Sequence, residues 1–172
     1  VQDITPCKQT EARLEKSERN YRMLVESSND LIFQEDIEGN FVYFNTAFET
    51  MLGYTREDME KLNGFDVVHP DDLSRSQETF ARMMTGEHVN GLEVRIRKKD
   101  GEYLYIMADA SPVLDSHQNV IGIAGTGKDI TVYKKAETAL RESEAKYRHL
   151  IQHSHDAIYV LYNGKFEVIN DK

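Results

Sequence analysis

Residues 92–131 read LEVRIRKKDGEYLYIMADASPVLDSHQNVIGIAGTGKDIT. Leu92, Val94 and Ile96 alternate with Glu93, Arg95 and Arg97, the period of two of a half-buried strand. Lys99-Asp100-Gly101 is hairpin-turn chemistry. Tyr103 to Leu114 is a long, mostly apolar strand, Asp115 to Asn119 a second turn, and Val120 to Gly127 a third strand. Gly122, Gly125 and Gly127 within that last run point to a kink or to something packed close against the backbone. Three consecutive antiparallel strands therefore close the domain.

Upstream, Leu31 to Asp36 and Phe41 to Phe44 read as two strands around the turn Glu38-Gly39-Asn40. Asn45 stands where a helix N-cap belongs, ahead of Thr46 to Leu52, and Gly53 is a helix stop. Thr55 and Asp58 form a capping pair for a short helix from Arg56 to Lys61, which Asn63-Gly64 breaks. His69-Pro70-Asp71-Asp72 opens a longer helix whose apolar face carries Leu73, Phe80, Met83 and Met84. Two strands, short helices, a longer helix and three strands give an α+β fold, with the helices on one face of a single sheet.

The chain repeats itself at an offset of 126 residues. Asp3-Ile4-Thr5 recurs as Asp129-Ile130-Thr131, Ser17-Glu18 as Ser143-Glu144, and Tyr21-Arg22 as Tyr147-Arg148. One deleted residue later, Gly39, Phe41 and Asn45 match Gly164, Phe166 and Asn170. So long a period means that whole domains repeat. The expected organisation is 1–28, the end of one repeat and a helical linker; 29–131, a complete domain; 132–155, a second linker; and 156–172, the start of the next repeat, which opens with a hairpin. The chain starts at Val1 rather than Met and ends without a closing element, and so reads as a segment of something longer.

In the linkers, Cys7, Thr10, Leu14, Ser17, Tyr21 and Leu24 recur in steps of three and four, as do Tyr133, Ala136, Leu140, Ser143, Tyr147 and Leu150. That is a heptad seam, expected to join two copies as a short parallel coiled coil; an amphipathic helix lying on its own domain is the other reading.

These motifs, taken in order, resemble the PAS family in its bacterial and archaeal sensory form. The resemblance rests on Gly39 and Asn45, Gly53-Tyr54-Thr55, His69-Pro70-Asp71-Asp72, Lys99-Asp100-Gly101 and Asp129-Ile130-Thr131. It implies a five-stranded antiparallel sheet whose inner face and helices can enclose a small ligand. It also implies that Asp129, Ile130 and Thr131 pass a signal into the exit helix. Such arrays sit beside further PAS domains and upstream of output domains, a histidine kinase foremost. A structural dimerisation spacer that binds no ligand is the alternative.

The formal net charge is −9, with 21 basic and 30 acidic residues, which makes nucleic acid and anionic membrane surfaces poor partners. No apolar run approaches the roughly 20 residues of a membrane span. With one cysteine, Cys7, no internal disulfide forms, and a reducing cytoplasm is the simple compartment, with the parent protein free to be anchored elsewhere.

No catalytic constellation emerges. His69 belongs to a helix start, His88 and His117 fall in turns, and His149 and His153, four residues apart, read as a solvated helix face rather than a metal pair beside His155. No cofactor is expected: the resemblance would need a cysteine inside the domain for a flavin adduct, or a histidine on the long helix for haem, and neither is there. The apolar positions expected to face inward are Phe48, Met51, Phe65, Phe80 and Met83, with Val94, Ile96, Tyr105, Met107 and Ile123 from the strands. Such bulk favours a filled core; a ligand pocket with the same lining is the alternative. Arg95, by periodicity, faces outward.

Overall fold

The computed structural model describes residues 5–153, 159–162 and 165–168. It divides into two units, residues 1–130 and 131–172. In the first, helix α1 (Thr5–Glu26) leads into strands β1 (Leu31–Asp36) and β2 (Phe41–Phe44). A π-helical turn at Phe48–Leu52, helix α2 (Arg56–Met59), a 3-10 turn at Gly64–Val67 and helix α3 (Pro70–Met83) follow. Strands β3 (Val89–Arg97), β4 (Tyr103–Leu114) and β5 (Val120–Asp129) complete it. All pairings are antiparallel, in the order β2-β1-β5-β4-β3. The second unit holds helix α4 (Thr131–Gln152) and a hairpin of β6 (Tyr159–Tyr162) and β7 (Lys165–Val168). The last unit's expected hairpin is thus present, while His155 and Asn170 lie outside the described residues. Among the described residues, no helix is long and apolar enough to cross a membrane.

The short helices form where the caps said they would. Thr55 and Asp58 make a reciprocal capping box, and a second, from Asn63 and Asp66, starts the 3-10 turn where the sequence suggested only a break. Asn45 corrects the reading of it as a helix cap. Its Oδ1 accepts from the Ile32 N–H at 3.0 Å, while its Nδ2 donates to the carbonyls of Val25 (3.1 Å) and Asp30 (3.0 Å). Fully buried, it ties the end of α1 to the first hairpin. Glu26 reinforces the joint, accepting from the Tyr43 hydroxyl and from both the N–H and the hydroxyl of Thr46. The Thr46 hydroxyl in particular holds the Glu26 carboxyl below its ordinary value.

The His-Pro-Asp-Asp stretch starts α3 and also covers a sheet edge. His69 Nδ1 accepts from the Asp71 N–H, capping the helix, and the His69 N–H donates to the Arg95 carbonyl on β3. Asp72 accepts from the Arg95 backbone N–H and, in a fork, from its Nε and Nη2 at 2.9 Å each. β3 is an edge strand, so these contacts satisfy backbone groups that would otherwise be open to pairing. Arg95 is therefore not a free outward charge: it clamps α3 to β3.

Candidate functional site

The inner face of the sheet is set by side-chain parity. Leu31, Phe33 and Glu35 point inward from β1; Ile106, Ala108 and Ala110 from β4; Ile123 and Gly127 from β5. With the rings of Phe48, Phe65 and Phe80 opposite, they line an apolar cavity of about 120 Å³. The core around it falls into two clusters, one built on Leu31, Phe44, Phe48, Leu52 and Ile106, the other on Phe80, Met83, Ala110 and Ile123; Phe33 packs on both.

Small side chains explain why the space is left. β4 contributes two alanines to the inner face, and β5 contributes glycines. At Gly125 a Cβ would meet the Phe33 ring and Ala110 at 2.9 Å, so the expected close neighbour is there and the strand stays in register with β1.

Seven of the ten expected positions line the cavity: Phe48, Phe65, Phe80, Met83, Val94, Ile96 and Ile123. Three do not. Tyr105 and Met107 stand on the opposite face of β4, paired with Arg95 and Glu93, because the inward residues of that strand are Ile106, Ala108 and Ala110. Met51 packs on the edge of the first cluster and borders a separate surface depression beside Lys98 and Lys99. Two large side chains expected in the interior, Tyr105 and Met107, are therefore outside it.

Glu35 was missed. It follows Leu31 and Phe33 at the same parity, an acid in an apolar series, and it is 9% exposed. Its carboxyl lies on Gly64, where any Cβ would collide with it. The carboxyl hydrogen-bonds with no described residue. Burial first, and the neighbouring Asp36 second, push its pKa up to about 8. The other polar side chains of the lining are satisfied within α3: Ser76 Oγ donates to the Asp72 carbonyl and Thr79 Oγ1 to the Arg75 carbonyl.

The lining residue Gly127 lies two positions before Asp129 on β5. Asp129 pairs with Ile106 as the last residue of β5, two residues beyond the Gly127 at which the strand is expected to end. The Ile130 N–H donates to the Tyr105 carbonyl at 2.8 Å, and Thr131, buried, begins α4. On α4, the rings of His149 and His153 are in contact at a tilt of 55°, with centroids 4.3 Å apart. Among the described residues, no group of three or more His, Cys, Asp or Glu is placed to hold a metal.

A family model described as the PAS fold matches residues 19–130. Sporulation kinase A of Bacillus subtilis is 29% identical over 136 residues, which is 78% of this chain and 22% of that protein. The methanogenesis regulatory histidine kinase FilI of Methanothrix harundinacea is 26% identical over 156 residues, 86% of this chain and 18% of that protein. The chain thus spans about a fifth of the length of these relatives. Among solved structures, a domain of a sensory box sensor histidine kinase/response regulator from Geobacter sulfurreducens superposes with a TM-score of 0.56 at 27% identity, over 67% of this chain and 96% of that one.

Proposed function

The chain belongs to the PAS family, and from that premise we propose that residues 29–131 are a non-catalytic sensing domain in a tandem array, working on an output domain of the same protein, a histidine kinase by its relatives. A small molecule in the cavity is the signal, and Asp129, Ile130 and Thr131 hand it to α4. One observation carries this reading: the cavity is floored by Ile106 and Gly127, and Ile106 pairs with Asp129 at the root of α4. An occupant that pushes on that floor displaces the pair of strands from which the helix departs. For this to be signalling, the occupant must bind one arrangement of the strands more tightly than the other.

α4 then carries the change between two copies of the chain. Tyr133, Leu140, Tyr147 and Leu150 recur on one stripe, and all four are exposed. In α1, Leu14, Tyr21 and Leu24 repeat the arrangement, also exposed. A second copy packing on these stripes as a parallel coiled coil would cover them.

Native mass spectrometry of the purified chain, read beside its absorption spectrum, tests both parts. A dimer with a mass excess over two chains is expected, and no visible chromophore. A bare mass after purification and after exposure to small-molecule mixtures would overturn ligand sensing and leave a structural spacer.

A further inference from the structure

Resting on the reading of the cavity as a ligand site, the chemistry of its occupant follows from the one polar group left open in it. Glu35 enters from β1 into a wall otherwise made of aliphatic and aromatic side chains and of hydroxyls already committed to α3. The 3-10 turn passes close to it: a Cβ at Gly64 would meet the Glu35 carboxyl and displace it from this place. Glu35 as a residue is 9% exposed, and its carboxyl has no hydrogen-bond partner among the described residues.

No cation lines the cavity to neutralise an ionised carboxylate. Asp36, next in the strand, is the one charged group acting on Glu35, and its carboxyl is turned to the hairpin, accepting from the N–H groups of Glu38 and Asn40 and from the Asn40 amide. Asp66, on the 3-10 turn, is engaged with the Asn63 N–H. Phe65, Phe80 and Met83, which close the helical side, do not titrate. Glu35 is accordingly held as the neutral acid near neutral pH, and a neutral acid is a hydrogen-bond donor. A cationic occupant would have to desolvate itself and an ionised Glu35 together, which offsets most of the attraction gained. An anionic one meets an apolar wall and a net charge of −9.

We propose that the cavity takes a small neutral molecule with an apolar body and one hydrogen-bond acceptor, to which the Glu35 carboxyl donates. Its size is bounded by the cavity: about 120 Å³ is of the order of the roughly 150 Å³ apolar cavity known to hold a benzene ring.

The test uses three probes of one shape: cyclohexanone (acceptor), methylenecyclohexane (apolar) and cyclohexylammonium (cation). Binding to the whole chain is followed through the methyl resonances of Met83 and Ile123. Cyclohexanone is expected to lose affinity about tenfold, the worth of one good hydrogen bond, as pH passes from below to well above the Glu35 midpoint. Methylenecyclohexane should show no such change. Glu35→Gln, which keeps a donor that does not titrate, should bind cyclohexanone at all these pH values, and Glu35→Leu should weaken it while sparing methylenecyclohexane. Cyclohexanone binding that ignores pH and both substitutions would overturn the inference while leaving the cavity a ligand site. So would cyclohexylammonium binding that strengthens with pH. If none of the probes moves either methyl, the ligand-site reading itself falls.

Discussion

Glu35 is a single residue with two consequences, one for ligand chemistry and one for stability. Its ordinary value is 4.5, and burial raises it to about 8 in the folded chain. Below pH 4.5 both folded and unfolded chains hold the proton, and the position costs nothing by this route. As pH rises toward 8 the unfolded chain releases the proton while the folded chain keeps it, so stability falls across that window and levels off above it. By pH 7 the loss is on the order of 3 kcal/mol. Urea midpoints of Glu35→Gln should lack this fall, and the variant should exceed the parent in stability at pH 7 and above. Parallel curves for the two proteins would show that Glu35 is not buried as described. The residue was legible in the sequence as an acid at the inward parity of an apolar strand, beside Leu31 and Phe33. The same kind of signal was available on β4. Asp109 shares its parity with Tyr105 and Met107, and its carboxylate accepts from the Gly91 N–H at the β3 bulge. A charge on that parity marks the outer face. Without weighing it, side-chain bulk alone placed Tyr105 and Met107 inside and filled a core that β4 in fact lines with alanines.

Among the elements, the strands and turns were readable because their periodicity and turn residues are local. β1, β2 and β4 have the bounds the pattern implies. What local pattern does not encode is the partner across the fold. Asn45 looks like a helix cap until α1 is seen delivering the Val25 carbonyl to it. Asp72 looks like a helix-start acid until β3 brings Arg95 alongside. The clamp between α3 and β3 makes a prediction. Arg95 holds the Asp72 carboxyl down to about 2, below its ordinary 3.8. Its stabilising effect is therefore full above pH 3.8 and is lost as pH falls through about 2. Asp72→Asn should cost roughly 1–3 kcal/mol at neutral pH, since three donors of Arg95 lose a charged acceptor. That deficit in urea midpoint should shrink toward zero as the parent is acidified through this range. A variant as stable as the parent at neutral pH would mean that the edge of β3 is held by something other than Asp72.

For the molecule as a whole, the repeat at an offset of 126 residues and the two linker helices were visible in the sequence, and both helices are present. The exposed stripe on α4 bears the proposed contact with a second copy. Replacing Leu140 and Leu150 together by Asp should shift the chain from dimer to monomer in sedimentation equilibrium. Helical content should change little, because neither side chain is buried within the chain. A dimer that persists unweakened would move the contact away from this stripe. Beyond assembly, the coupling of cavity and helix can be read by amide hydrogen exchange of the whole chain, free and saturated with cyclohexanone. Exchange is expected to change at the lining of the cavity and also at the Ile130 amide and the first turn of α4. A change confined to the lining, with Ile130 and α4 exchanging as in the free chain, would contradict that coupling.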